Sequence, residues 1–287
     1  MVTSPTVIST FAGAGGSSLG YQMAGYDERL AVEWDDHAAQ TFRLNFPDVP
    51  LYHGDIAALT SDHAMELAGL KRGELDVLDG SPPCQGFSTS GKRKFDDPRN
   101  SLFIEYARML EDLQPKAFVM ENVTGLVQGY MKQAYLKIAH TLKAAGYRVR
   151  GEVMNANHYH VPQKRRRVII IGVRNDLKIE PSHPRPTTNR IGCTRIDGIP
   201  GRYSDKRYGD QIVIEGKPTP TLTKLGRFFW DRRTQFGPKS YAHAASFPES
   251  FQWTGTPNQI KDRLGNSVPP KLMQAIAQHV RTTVFDA

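Results

Sequence analysis

Short apolar runs alternate with longer stretches of mixed polarity along the first part of the 287-residue chain. Residues 7–11 form an apolar-rich run that ends in glycines, and residues 30–33, 75–78 and 117–120 repeat the pattern. Between these runs, residues 36–46, 101–113 and 130–145 have the length and spacing of helices. Strands alternating with helices predict an α/β domain with a parallel sheet covered on both faces. Residues 168–173 read VIIIGV, without a polar side chain, and are expected to form a central buried strand. The texture changes after Arg174. PSHPRPTTNR and GIPGRYSDKRYGD are rich in Pro, Gly and basic residues, which fits either linking loops or a small, loop-rich binding region. Helical periodicity returns at residues 270–280, and the chain has no internal repeat or low-complexity tract.

Composition narrows the class. The chain is 39% hydrophobic and 23% charged, with 25 Gly and 19 Pro, which excludes collagen-like, coiled-coil and wholly disordered chains. Its length suits one large domain or two smaller ones and can bury a core without disulfides. No run of about 18 apolar residues predicts a membrane span. The segment MVTSPTVISTFAGAGG lacks the basic and apolar regions of a secretory signal, so none is expected. Two cysteines, Cys84 and Cys193, are no disulfide framework and fit a reducing compartment. The net charge is +8, yet residues 160–240 hold 18 Lys+Arg against 7 Asp+Glu, and the remainder holds 19 against 22. One segment therefore carries the whole positive excess. It reads as a face for a polyanion such as nucleic acid, or as a solvated basic surface; charge alone does not choose.

Candidate chemistry clusters at the predicted strand ends. Phe11-Ala-Gly-Ala-Gly-Gly-Ser-Ser-Leu-Gly follows the first strand and opens a helix. Glycines there admit a ligand close to the backbone, and a helix N-terminus favours negative charge. No Gly-Lys-Ser/Thr follows, so this is not a Walker loop. Glu33 ends the second strand, where an acid suits ribose hydroxyls; Trp34 can pack on an adenine face; Asp55 follows the third strand. Taken singly, these are a surface charge, a packing residue and a helix cap. Cys84, in Gly80-Ser-Pro-Pro-Cys84-Gln-Gly-Phe-Ser88 after the fourth strand, is a candidate nucleophile or an inert buried thiol. Its stiff Pro-Pro context favours the nucleophile.

The ordered set Pro-Pro-Cys84-Gln, Glu121-Asn-Val123, Gln163-Lys-Arg165-Arg-Arg167 and Gly265-Asn-Ser-Val-Pro-Pro270 resembles the DNA (cytosine-5) methyltransferases of stand-alone prokaryotic or phage type. The resemblance runs along nearly the whole chain. The Asn122-Val-Thr124 sequon lies inside it and is not a glycosylation signal. The resemblance implies a Rossmann-like S-adenosylmethionine-dependent methyltransferase fold with a second, smaller target-recognition domain. It assigns the nucleophile to Cys84, the acid beside cytosine N3 to Glu121, the contact to cytosine O2 to Arg167, site support to Arg165, and orientation of the Cys84 loop to Asn122. S-adenosylmethionine would meet Phe11, Gly13, Gly15 and Gly16. Glu33 would hold its ribose, Trp34 and Ile56 the adenine faces and Asp55 the adenine amine, with Pro83, Leu102, Asn266, Ser267 and Val268 completing the pocket. No metal is expected. Reaching a cytosine inside a duplex implies base flipping, with residues 86–100 as a closing loop. Ser88, Ser90, Lys92, Gln163, Arg227, Arg232 and Arg233 are expected to meet DNA. The expected partners are double-stranded DNA and a separately encoded restriction endonuclease, with no membrane; the protein is expected to be monomeric and cytoplasmic, at the nucleoid.

Departures from the family pattern sharpen the expectations. Thr219-Pro-Thr-Leu-Thr223 starts the ninth motif, which leaves only the 45 residues 174–218 before it, a short recognition region. Residues 224–239 interleave Phe228, Phe229 and Trp230 with Arg232 and Arg233. That pattern fits phosphate contact and base stacking, or a small hydrophobic core. The Glu-x-x-Arg usual in the ninth motif is absent from Tyr241-Ala-His-Ala-Ala-Ser-Phe247-Pro248, which leaves the packing of that region open. Relatives acting on transfer RNA carry Cys-Phe-Thr, whereas Cys193 precedes Thr194 and Arg195. Catalytically silent DNA-binding relatives lose the nucleophile or its Glu, and both are present here. Residues 1–173 plus 262–287 are expected to form the catalytic and cofactor-binding domain, and residues 174–261 the small DNA target-recognition domain.

Overall fold

Alternate residues of one sheet feed two separate apolar layers. The computed structural model describes residues 4–83, 101–204, 210–224 and 226–286; the expected sites at Cys84, Ser88, Ser90 and Lys92 lie outside the described residues. The chain runs β1 (Thr6–Thr10), α1 (Gly16–Met23), β2 (Asp27–Glu33), α2 (Asp36–Asn45), β3 (Leu51–His53), α3 (Ser61–Ala68), β4 (Val77–Gly80), α4 (Ser101–Leu113), β5 (Ala117–Val123), α5 (Lys132–Ala144), β6 (Tyr147–Asn155) and β7 (Arg166–Arg174). These strands form a seven-stranded sheet in the order β3-β2-β1-β4-β5-β7-β6. Ile8, Leu78, Phe118 and Ile170 pack with α3, α4 and α5 on one face. Their neighbours Val7, Val77, Val119 and Ile171 pack on the other, with Tyr21 of α1 and Leu272, Met273 and Ile276 near the C-terminus. The period-2 strand geometry thus explains why the strands read as unbroken apolar runs.

The sheet is not wholly parallel, which corrects the sequence expectation. β7 runs antiparallel to both β5 and β6. The VIIIGV run is interior and buried, but it lies one strand from the edge. Its partner β6, YRVRGEVMN, alternates charged and apolar residues and has only partial burial, as an edge strand does.

The remainder forms β8 (Gly198–Pro200), β9 (Asp210–Ile212), β10 (Arg227–Asp231), β11 (Thr234–Phe236), α6 (Pro238–Ala244), α7 (Pro257–Asn266) and α8 (Pro270–Val280). The second sheet has the order β8-β11-β10-β9. Phe228, Phe229 and Trp230 are buried, and Trp230 stacks on Phe236 with ring centroids 4.2 Å apart. These aromatics therefore build a core and are not displayed for bases. The same apolar cluster takes in Phe42 and Phe46 near α2 and buries Cys193, whose thiol burial pushes up to about 12. Where the ninth motif lacks its Glu-x-x-Arg, Asp197 supplies a carboxylate from a distance. It accepts the N–H groups of Lys239 and Ser240 in the first turn of α6, at 3.0 and 2.8 Å, a favourable place for negative charge. The chain's last helix, α8, lies against α1, with Tyr26 Oη donating to the Ala277 carbonyl at 3.0 Å. No helix among the described residues is long and apolar enough to cross a membrane.

Candidate active site

The carboxyl ends of β1, β2, β3 and β4 meet at an open cleft of about 450 Å³ lined by Phe11, Val32, Glu33, Trp34, Gly54, Asp55, Ile56, Pro83 and Leu102. Ligands settle at such strand ends in open α/β sheets. Seven of these residues, all except Val32 and Gly54, are ones the motif pattern singled out. Phe11 holds a left-handed backbone, φ 56°, and Gly13 follows at φ 57°, a strained turn of the kind that clusters at functional sites. A side chain at Gly13 would meet nothing within 4 Å, so space is open there. Gly15 also has a left-handed backbone, φ 94°, and both it and Gly16 are tightly enclosed. A Cβ on Gly15 would lie 2.3 Å from the Phe46 ring, and one on Gly16 would lie 2.2 Å from the Val268 carbonyl oxygen. Packing alone requires glycine at 16, packing and backbone together at 15, and the Gly16 contact brings the C-terminal motif to the first turn. Val268 is buried in the core, Asn266 is exposed, and Ser267 Oγ donates to the Arg263 carbonyl at 2.8 Å.

Glu33 is buried and already engaged. Its carboxylate accepts the N–H groups of Gly13, Trp34 and Asp35 at 2.7, 2.9 and 2.8 Å. Burial raises its pKa above the usual carboxylate range and those bonds pull it back. The acid thus fastens the glycine turn to the end of β2, a role the sequence did not reveal. Trp34 projects from the rim, 73% exposed. Asp55 caps the short 3-10 turn Ile56–Ala58 by accepting the Ala57 N–H at 3.0 Å.

A second group of side chains gathers where β4 and β5 end and β7 begins. Asn122 Nδ2 donates to the Pro82 carbonyl at 3.0 Å, tying β5 to the segment that leads into Cys84. Glu121 is buried beside it, with Arg167 Nε 2.8 Å from its Oε1. That contact is an ion pair without hydrogen-bond alignment, since Oε1 accepts no hydrogen bond. The antiparallel β5–β7 pairing, with Val123 opposite Arg167, brings the two together. Arg165 is fully buried and donates to the carbonyls of Leu222 and Gly265 at 3.3 and 2.9 Å. Burial, together with the neighbouring Arg167 charge, lowers its pKa to about 9.

Two residues expected to meet DNA are otherwise occupied. Gln163 is 1% exposed. Its Nε2 donates to the Ala244 carbonyl at 3.1 Å and its Oε1 accepts the Leu222 N–H at 3.0 Å. A buried amide satisfied at both ends is a tie between segments, not a DNA-facing group. Arg227 Nε donates to Asp210 Oδ1 at 2.8 Å, and its guanidinium lies over the Phe229 ring, which bonds β10 to β9. Arg232 and Arg233 are exposed in the β10–β11 turn, and the Arg232 guanidinium lies over the Tyr203 ring.

A solved structure of a candidate DNA modification methyltransferase encoded within an E. coli prophage superposes with a TM-score of 0.82 at 23% identity, covering 98% of this chain and 99% of that one. This establishes a Rossmann-like methyltransferase fold. Residues 5–194 match the model of the C-5 cytosine-specific DNA methylases. The Type II methyltransferase M1.HphI of Haemophilus parahaemolyticus is 33% identical over 322 residues, spanning 96% of this chain and 86% of that protein. M.NgoPII of Neisseria gonorrhoeae, another Type II methyltransferase, is 38% identical over 333 residues, spanning 97% and 96%. The chain belongs to the C-5 cytosine-specific DNA methylase family.

Proposed function

We propose that this DNA cytosine-5 methyltransferase takes its methyl group from S-adenosylmethionine held in the cleft, and acts through Cys84 on a cytosine flipped out of duplex DNA. The observation that carries the reading is the cleft itself. It has apolar walls, an exposed indole at its rim and a buried carboxylate at its base, and its Pro83 wall lies one residue before Cys84. That set fits an adenosine with its ribose near Glu33 and its adenine between Trp34 and Ile56. Asp55 has one carboxylate oxygen on Ala57, which leaves the other for the adenine amine. S-adenosylmethionine supplies an electrophilic methyl group when bound.

The chain's own residues do the rest. Cytosine C5 is a weak nucleophile. Addition of the Cys84 thiolate to C6 pushes the electrons of the 5,6 double bond toward C5. Charge that reaches N3 is met by a proton or hydrogen bond from Glu121, and Arg167 faces O2. After C5 is methylated, its proton leaves to solvent base, the 5,6 double bond re-forms and the thiolate is expelled. Asn122, through the Pro82 carbonyl, positions the nucleophile segment. Arg232 and Arg233 are proposed for the phosphate backbone. Residues 1–173 with 262–287 are proposed as the catalytic domain and 174–261 as the recognition domain of a monomer. The Type II relatives support a short target sequence and a separately encoded endonuclease.

Incubation with duplex DNA carrying 5-fluorocytosine and S-adenosylmethionine tests the reading, because fluorine cannot leave C5 as a proton does. A covalent protein–DNA adduct is expected. No adduct, or one that survives Cys84→Ala, overturns it.

A further inference from the structure

We propose that Arg108, outside the cleft, is a positioning residue that sets the width of the adenine end of the pocket. The inference rests on the cleft being the cofactor site. One wall of the cleft is Asp55 and Ile56, at the start of a single 3-10 turn that follows the three-residue strand β3. A wall this short has little intrinsic rigidity. Leu102, on α4, also lines the cleft. Arg108 stands six residues further along α4 and reaches across to the turn. Its Nη2 donates to the carbonyls of Ile56 and Leu59 at 3.2 and 2.9 Å, and its Nη1 donates to Ser61 Oγ at 3.0 Å. Nε donates to Glu105 at 2.7 Å, one turn earlier on the same helix. Ser61 Oγ in turn donates to Asp112 at 2.6 Å. One planar guanidinium therefore grips both ends of the turn while two acids of α4 hold its position.

The energetic logic favours a geometric role. These bonds are charge-assisted and fixed in direction by the guanidinium plane. A lysine would keep the charge but could not meet Ile56, Leu59 and Ser61 together. Arg108 itself does not line the cleft, and it is half-buried. Its effect on the reaction runs through the turn that carries Ile56, so it should fall on cofactor affinity and not on the chemical step.

Arg108→Lys is expected to weaken S-adenosylhomocysteine binding, measured by calorimetry, about tenfold. KM for S-adenosylmethionine should rise by a similar factor, with kcat at saturating cofactor kept within about twofold. Backbone hydrogen exchange at Ala57, Ala58 and Leu59 should quicken in the same variant. A general packing role would instead scale down kcat through lost folded enzyme and leave KM and those three amides unchanged. Glu105→Gln keeps the guanidinium but loosens one anchor, and should give a smaller rise of the same kind; if Arg108→Lys fails to fold, this variant decides. Unchanged affinity in the folded variant overturns the positioning role. The cleft reading fails separately, if the wild-type protein does not bind S-adenosylhomocysteine or if Trp34→Ala binds it as tightly as wild type.

Discussion

At the residue scale, the ion pair between Glu121 and Arg167 is largely buried and lacks hydrogen-bond alignment, so the carboxyl is held in place while Oε1 keeps its hydrogen-bonding capacity. Glu121→Gln should keep the fold, since the amide matches the shape of the acid, and should slow methyl transfer by about 10²- to 10⁴-fold. Single-turnover rates on a defined duplex would show this, and a loss under tenfold would remove Glu121 from the acid role. Asp79, on β4, carries a different kind of cost. It is buried, and that burial, with the charges of Glu28 and Glu121 adding to it, raises its pKa to about 8, while bonds from Ser17 and Tyr21 offset part of the rise. Its neighbour Glu28 is raised to about 7, again mainly by burial. A carboxyl that keeps its proton in the folded state is ionised in the unfolded chain above its ordinary value near 3.8. Stability from this group is therefore full below about pH 4 and is lost as pH rises to about 8. Melting curves should show Asp79→Asn gaining on wild type from about pH 4 to about pH 8; a gap independent of pH would contradict the buried-acid account.

At the element scale, Trp230 decides between two readings of the same aromatic run. It is buried against Phe236 and donates its indole N–H to the Asp197 carbonyl at 2.9 Å. Trp230→Ala is expected to lower unfolding free energy by about 3–5 kcal/mol, seen as an earlier denaturant midpoint. A variant with unchanged stability and weakened DNA binding would restore the stacking role. What the sequence disclosed at this scale follows from burial. Strands buried on both faces, such as β5 and β7, stand out as apolar runs, and α4 and α8 show clear periodicity. β6 was not picked out because its charged positions 148, 150 and 152 break the run, although its alternation is that of an edge strand. The strands of the second sheet have three to five residues, too few for a period to register. The cleft residues were legible because their order along the chain matches a family. The bonds from Glu33 to three backbone amides and from Asp197 to α6 were not, because both depend on where the chain returns in space.

At the scale of the whole molecule, the uneven charge acquires a place. The positive excess of residues 160–240 is partly taken up within the protein, by the buried Arg165 and by Arg227 against Asp210. The exposed share includes Arg232 and Arg233 at one turn of the second sheet. Their joint replacement by Ala should weaken binding to all duplexes alike and reduce the slope of log affinity against log salt by roughly 2, near 0.9 for each lost phosphate contact. Titrations between 50 and 200 mM salt, on the order of the range where such slopes are read, would check it. A slope equal to wild type would take both arginines off the phosphate backbone.

The tie at Gln163 has a consequence for how such an enzyme acquires new targets. Residues 162–165 are stitched to 219–222 by backbone bonds between Lys164 and Thr219 and between Thr219 and Pro162, by the Gln163 amide and by the Arg165 guanidinium. The stretch that carries Arg165 and Arg167 is thus braced by the chain that re-enters after the loop-rich segment. A graft that keeps apolar side chains at 193 and 213, where Cys193 and Val213 plug the shared core, can exchange the surface between them while the arginine strand keeps its brace. The stretch that carries Arg165 and Arg167 and the segment proposed for target recognition are thus joined at a rivet rather than blended.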